Sequence, residues 1–197
     1  MHIAMRDRIA LVVLLGFMAA APVFAQGEYG LGHPATDEEV AGWNIDIPPS
    51  GEGLPEGSGS VANGKTVYEN TCASCHGKTG AEGGIGDRLV GGKGTLDSDD
   101  PIKTVGSYWP YAPTLFDYIR RAMPQTAPQS LSADDVYAVT AYLLAENDII
   151  KDDMVMDAKS LPKVQMPNRD GFEKDSRPDV NDERCMEDCS AMTSGAP

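Results

Sequence analysis

Three stretches in the middle of the chain repeat apolar residues with the period of an α-helix. In the first, Gly64, Tyr68 and Cys72 lie four residues apart and therefore share one helix face. Ser60 precedes this stretch and is a suitable N-cap. The pattern predicts a helix from Val61 to about Thr71.

Two more helices are predicted further along, each with a start or stop signal. One follows Pro113, a favourable first-turn residue, and must end before Pro124. The other begins where Ser132 and Asp135 form a short-acid variant of the capping box. Their apolar stripes are Leu115, Tyr118, Ile119 and Ala122 in the former, and Val136, Val139, Tyr142, Leu143 and Leu144 in the latter.

The rest of the chain lacks a sustained apolar period. We divide the whole chain into a leader (residues 1–25), an N-terminal extension (26–60), a helical domain (61–148) and a C-terminal extension (149–197). Within the domain, Gly80–Gly94 is predicted to be a loop, which at this length needs something to wrap around. A capping box at Thr36 and Glu39 predicts a short helix to about Ala41. The predicted class is all-α with long, largely irregular extensions.

The extensions contain apolar residues but are too short to form cores of their own. These residues are Tyr29, Leu31, Trp43, Ile45 and Ile47 before the domain, and Met154, Val155, Met156, Leu161, Val164, Met166 and Phe172 after it. Either a partner protein or the domain itself must cover them. We favour a partner, because exposed aromatic residues frequently anchor interfaces.

The leader has the layout of a secretory signal peptide. Arg6 and Arg8 precede the apolar stretch Ile9–Ala20, and Ala25 is a small residue suited to signal-peptidase cleavage. The mature chain would then begin at Gln26, in the periplasm. The apolar stretch is short for a membrane span, and an uncleaved anchor is the alternative interpretation.

The charge balance limits the classes of partner. The chain has 30 acidic and 16 basic residues and a formal net charge of −14. Such a surface repels nucleic acid and anionic lipid, and it attracts a basic protein patch in a salt-dependent manner. Charge that only maintains solubility is an equally good explanation for most of these acids. We expect no nucleic-acid partner, and no membrane contact after processing.

The segment Cys72-Ala73-Ser74-Cys75-His76 carries the chemistry. Two cysteines at this spacing can bond to the vinyl groups of a haem, and the histidine that follows can ligate its iron. A redox Cys-x-x-Cys is one alternative. Half of a zinc site is another, but it needs a second ligand pair that the sequence does not offer. One covalent haem c is predicted, because the motif occurs once.

Methionine is the predicted second axial ligand. Apart from His76, the mature chain contains only His33, in the N-terminal extension. Met123 ends a predicted helix and precedes Pro124. A thioether ligand favours reduced iron and raises the reduction potential, although any single methionine can instead fill a gap in the core. With so few histidines no Ser-His-Asp set is credible, and no catalytic residue is predicted.

Residues 60–148 resemble a class I cytochrome c, in which an N-terminal helix runs into the haem motif and a C-terminal helix crosses it. Gly64, Tyr68 and Tyr142 match the family's packing positions, which implies that Tyr142 lies against the backbone at Gly64. Many members have Gly-Pro-x-Leu after the motif, where this chain has Gly86-Asp87-Arg88-Leu89. We still expect a carbonyl within Ile85–Leu89 to accept from His76 Nδ1.

In cytochromes of this type, residues of the loop before the distal helix often donate to a haem propionate. Trp109 and Tyr111 occupy that place in this chain. Arg88, Arg120 and Arg121 are further candidates, because a guanidinium suits a carboxylate. Solvated arginines are the alternative.

A second resemblance extends over almost the whole mature chain, to the SoxD-like cytochrome c subunit of the Sox sulfur-oxidising system. It implies that the chain accepts electrons from a molybdenum-cofactor subunit that oxidises sulfane sulfur or sulfite, and passes them to another cytochrome. The matching stretches are Tyr29–Gly32, Leu89–Gly92, Val105–Tyr111, Phe116–Pro124 and Met166–Phe172.

Cys185 and Cys189 are expected to form a local disulfide, as thiol pairs in exported proteins usually do. Their loop is short, so the stabilising effect would be small. A bond to another chain is an alternative. Thiolate ligation of the haem is another, but it would displace Met123 and accompanies oxygen chemistry.

Three classes of function fit these residues. We favour an electron-transfer subunit that is not catalytic by itself. The second class is a haem enzyme of the peroxidase or thiosulfate dehydrogenase type with an open or labile sixth site, and the third is an interaction subunit whose haem is structural. A generic soluble electron carrier is the alternative within the first class.

The leader and the motif generate the first prediction. Protein purified from periplasm should begin at Gln26 and retain one porphyrin after denaturation, because thioether bonds survive unfolding. Intact-mass analysis of the wild type and of a Cys72→Ala, Cys75→Ala double variant checks both points. Colourless wild-type protein after correct maturation would contradict the haem assignment.

Overall fold

The computed structural model describes residues 32–177. The leader, Tyr29, Leu31, Cys185 and Cys189 lie outside the described residues, so the signal peptide and the disulfide stay predictions. The chain forms two compact units, which divide between Asn44 and Ile45.

The described part of the first unit contains one helix, α1 (Asp37–Trp43). Thr36 and Glu39 cap its N-terminus through two reciprocal hydrogen bonds. The Thr36 hydroxyl accepts from Glu39 N, and the Glu39 carboxylate accepts from Thr36 N at 2.8 Å. The bond from Thr36 N to the carboxylate is the largest cause that lowers the pKa of Glu39. The capping box predicted from the sequence is therefore confirmed. No residue of α1 is buried.

The second unit contains the predicted helical domain. Its elements are β1 (Ser58–Ser60), α2 (Val61–Thr71), α3 (Ala73–His76), α4 (Ala112–Ala122), α5 (Ala133–Glu146), β2 (Val155–Asp157) and a 3-10 helix (Leu161–Lys163). The three predicted helices α2, α4 and α5 are confirmed. Their caps behave as expected: Ser60 and Ser132 accept from the third backbone N–H of their helices.

Helices α2 and α5 pack backbone against backbone. A Cβ placed on Gly64 would lie 1.9 Å from Ala138 O and 2.8 Å from Tyr142 Cβ. The rings of Tyr68 and Tyr142 pack beside this contact, with centroids 5.1 Å apart. The expected approach of Tyr142 is confirmed, and the Ala138 carbonyl lies closer still.

Helix α5 is the centre of the unit. Every residue from Val136 to Ala145 is buried, a much wider face than the predicted stripe. The reason is that α2, α4, β1 and β2 all pack against it. A helix that is covered on all sides no longer shows a narrow apolar stripe.

Strands β1 and β2 form an antiparallel pair that the sequence did not predict. Gly59 pairs with Met156, and a Cβ on Gly59 would lie 2.1 Å from Ala138 N on α5. Each strand has only three residues, and β1 reads Ser-Gly-Ser, a composition that is unusual for a strand. The C-terminal extension thereby packs on the helical domain.

Our preference for a partner is wrong for several apolar residues of the extensions. Ile47 is buried in the core, and its N–H donates to Asp117 Oδ1 at 2.9 Å. The C-terminal extension also buries Met156, Leu161, Val164 and Met166 in the same core. These segments are straps over their own domain. Trp43, Met154, Val155 and Phe172 remain exposed.

None of the helices in residues 32–177 is long and apolar enough to cross a membrane.

The α2–α5 contact generates the second prediction. Gly64→Ala should lower the free energy of unfolding by about 1–3 kcal/mol, because the added methyl group meets backbone that cannot move aside. Denaturant titration followed by circular dichroism measures the loss. Gly42→Ala on α1 is the matched control, since no atom lies within 4 Å of its added Cβ. Equal stability of Gly64→Ala and wild type would contradict the packing.

Candidate functional site

An apolar cavity lies between α3, the glycine-rich loop, the end of α4 and one face of α5. Its volume is about 920 Å³, including space open to solvent. Cys72, Cys75, His76 and Met123, which come from both ends of the domain, all line it. The apolar walls are Leu89, Val105, Leu115, Ile119, Leu131, Val139 and Leu143. The structure thus brings the four predicted haem-binding residues to one cavity.

The short helix α3 presents the first three of these side chains. The N–H groups of Cys75 and His76 both donate to Cys72 O, at 3.1 and 3.0 Å. Gly77 ends the helix with a φ of +86°. Cys72 and Cys75 are not bonded to each other, and burial raises the pKa of the Cys72 thiol. Both sulfurs remain available for bonds to another group.

The proton position on His76 follows from its hydrogen bond. His76 Nδ1 lies 2.7 Å from Asp87 O, and a carbonyl only accepts, so Nδ1 carries the proton. The second ring nitrogen, Nε2, is left with a free lone pair, as ligation of a metal requires. The expectation of an accepting carbonyl within Ile85–Leu89 is confirmed, and Asp87 supplies it.

Gly86 makes room for the imidazole. A Cβ at this position would lie 2.6 Å from His76 Cε1 and 2.8 Å from Nδ1. Gly86 N also donates to Cys75 O at 2.9 Å, which fastens the loop to α3. The loop can approach the ring this closely only because residue 86 has no side chain.

Tyr68 fastens the beginning of the same loop. Its hydroxyl donates to Gly77 O at 2.9 Å, and burial raises the pKa of the phenol. Further along, Leu89 N and Val90 N both donate to Gly80 O. The predicted loop is therefore irregular but held by hydrogen bonds.

Met123 is the described methionine that lines the cavity. It caps the C-terminus of α4, where Pro124 stops the helix, and it is partly buried. Met156 and Met166 are buried in the core away from the cavity, and Met154 is exposed. His33, the other histidine considered for ligation, pairs with Glu39 at 3.2 Å within the first unit.

Of the residues considered for a propionate, Trp109 lines the cavity, where its ring packs edge-on against Tyr118 at 5.6 Å. Tyr111 instead lies under the guanidinium of Arg169, 5.2 Å from its ring centroid. Arg121 Nε donates to Asp117 Oδ1 at 2.8 Å, a bond that raises the pKa of Arg121. Neither Arg88 nor Arg120 contributes to the cavity lining.

Sequence reasoning missed three residues at the cavity. Tyr118 was assigned to the apolar stripe of α4, but it is 46% exposed and lines the cavity. Ile85 is 90% exposed and also lines it, together with Gln125. An apolar side chain held this far out in a glycine-rich loop gives no periodic signal, so only the structure could identify it.

The residues fit a covalently bound haem. The walls are apolar, two thiols stand at one side, and the imidazole has its Nε2 lone pair free. A zinc site is poorly supported, because no group of three or more His, Cys, Asp or Glu within residues 32–177 could hold a metal ion.

Comparison with known proteins agrees with this assignment. Residues 59–143 match the family model described as cytochrome C oxidase, cbb3-type, subunit III. The chain is 44% identical to one in the crystal structure of the sulfane dehydrogenase SoxCD from Paracoccus pantotrophus. That match covers 82% of each chain with a TM-score of 0.69. No curated protein sequence matches significantly.

Proposed function

The chain belongs to the c-type cytochromes related to the SoxCD cytochrome, and we propose that it is a periplasmic class I electron-transfer subunit with one covalent haem c. Its donor would be a molybdenum-cofactor subunit that oxidises sulfane sulfur or sulfite. The observation that carries this proposal is the apolar cavity lined together by Cys72, Cys75, His76 and Met123.

Each of these residues has a separate role. Cys72 and Cys75 would hold the haem through thioether bonds, and His76 Nε2 and Met123 Sδ would ligate its iron. Bound haem would supply one-electron redox chemistry, because its iron can cycle between the ferric and the ferrous state. The Asp87 carbonyl holds the His76 proton at Nδ1 and fixes the orientation of the ring.

The cavity lining favours electron transfer over an enzyme of the peroxidase type. Bond-breaking haem chemistry needs positioned acids and bases beside an open iron site. Within the described residues, the lining contains no Asp, Glu, Lys or Arg, and its titratable groups are the two thiols, His76 and Tyr118. Met123 would ligate the iron and exclude small ligands.

Similarity and charge together support the proposed partner. The SoxCD structure is that of a sulfane dehydrogenase, and 44% identity over most of both chains is compatible with a shared role. The net charge of −14 would steer a basic partner surface toward this protein. The signal-peptide pattern of residues 1–25 supports an encounter in the periplasm.

The third prediction tests the axial thioether. Met123→Leu keeps the volume but removes the sulfur, so the weak far-red sulfur-to-iron band of the oxidised protein should disappear. The reduction potential should fall by an appreciable part of the roughly 0.8 V that axial ligands span. Optical spectra and a redox titration measure both effects.

Met166→Leu is the matched control for this experiment. Met166 is also followed by proline and is buried, but it lies away from the cavity. This variant should keep the band and the potential. If the band persists in Met123→Leu, the ligand assignment is wrong. Rapid cyanide binding by the wild type would favour the enzyme alternative instead.

The fourth prediction tests the donor. Oxidised protein mixed with a molybdenum-cofactor sulfane dehydrogenase subunit should become reduced when sulfane substrate is added, because electrons leave the substrate through that subunit. The rate should decrease with salt, since the encounter is charge-assisted. Stopped-flow absorbance of the haem measures it.

The same mixture without substrate is the control, and dithionite shows that the haem is reducible. Reduction by dithionite but not by the subunit and its substrate would refute the proposed donor, and would leave a generic electron carrier.

A further inference from the structure

Asn147, the residue that follows α5, makes three hydrogen bonds with its side-chain amide. Nδ2 donates to Leu143 O at 2.7 Å and to Leu89 O at 3.1 Å, while Oδ1 accepts from Gly91 N at 3.0 Å. One bond stays within the end of α5, and two reach the glycine-rich loop 56 and 58 positions away in sequence. Both donor hydrogens and the acceptor are therefore used.

The surroundings are shaped to admit this side chain. A Cβ on Gly106 would lie 2.2 Å from Asn147 Oδ1, so the backbone of residue 106 is pressed against the amide. The same loop segment receives two more bonds, from Val105 N to Leu89 O at 3.2 Å and from Thr104 Oγ1 to Gly91 O. Leu89–Gly91 is thus fixed from α5 and from the turn at 104–106.

This segment follows directly on the group that orients His76. The accepting carbonyl belongs to Asp87, two residues before Leu89, and the Leu89 side chain lines the cavity. Glycines at 83, 84 and 86 precede Asp87, and this part of the backbone has much conformational freedom. The Gly86 N bond to Cys75 O holds this backbone on one side of Asp87, and the bonds at Leu89–Gly91, to which Asn147 contributes, hold it on the other.

We propose that Asn147 is a positioning residue for the axial histidine. It connects the end of α5 to Leu89–Gly91, and thereby holds the Asp87 carbonyl against His76 Nδ1. The proposal rests on the proposed function, since it gives His76 the role of an iron ligand. It adds a determinant of ligand orientation that lies outside the cavity lining.

The test measures exchange of the His76 Nδ1 proton with D₂O by NMR of the reduced holoprotein. In Asn147→Leu the loop loses an acceptor and a donor, so openings that expose this proton should become roughly tenfold more frequent or more. Asn147→Asp keeps the size and the acceptor but removes both donors, and it should also accelerate exchange.

Asn168→Leu is the matched control. Asn168 likewise donates to a loop carbonyl, Tyr108 O at 2.8 Å, and is likewise packed against a glycine, Gly171. It does not line the cavity, so exchange at His76 should match the wild type. Unchanged exchange in folded Asn147→Leu and Asn147→Asp would overturn the proposal.

If both variants fail to fold, the denaturant dependence of proton exchange in the wild type tests the proposal instead. The Gly91 amide and the His76 Nδ1 proton should respond to denaturant with the same slope, because one opening exposes both. Separate slopes would overturn the proposal. The absence of any haem-shifted His76 resonance would refute the ligand assignment itself, an outcome distinct from unchanged exchange in the variants.

Discussion

The arrangement of the domain depends on the contact that the backbones of β1 and α2 make with the backbone of α5 at Ala138. Gly59 and Gly64, on consecutive elements, both approach this residue of α5 more closely than a side chain would allow. The approach fixes the crossing of α2 and α5. Since α3 continues from α2, it also fixes where Cys72, Cys75 and His76 face α5 across the cavity.

The glycine-rich loop shows how a segment without periodic structure can be ordered. Fixing each glycine costs more conformational entropy than fixing other residues. The loop offsets this cost with hydrogen bonds to Gly80 O, Cys75 O and the Asn147 amide. In return, the loop backbone can lie directly against the His76 ring, because Gly86 has no side chain.

The sequence predicted those features that depend on neighbours along the chain. Ser60, Ser132 and the Thr36 capping box marked helix starts, and Cys72 to His76 marked the chemistry, because caps and motifs act within a few residues. The carbonyl for His76 could be limited only to a five-residue window, since several glycines leave its backbone path open. The backbone that carries the Asp87 carbonyl is held by hydrogen bonds from residues distant in sequence, Val105 and Asn147.

The sequence could not show whether the apolar residues of the extensions are buried by a partner or by the domain itself. Burial of Ile47 and Met156 is equally compatible with a partner or with the domain itself until the receiving surface is known. That surface exists only in three dimensions: Asp117 accepts from Ile47 N, and β1 pairs with the strand containing Met156. The exposed Ile85 and Tyr118 at the cavity were missed for the same reason.

The two sides of the cavity are stabilised by different remote segments. Asp117 accepts from Ile47 N and pairs with Arg121 on the last turn of α4, so the N-terminal strap holds the helix that Met123 caps. His76 depends on the loop that the end of α5 restrains. The proposed ligand pair, held in this way, would need little reorganisation when an electron arrives. The N-terminal strap adds no side chain to the cavity lining, but it keeps α4, and with it Met123, in place.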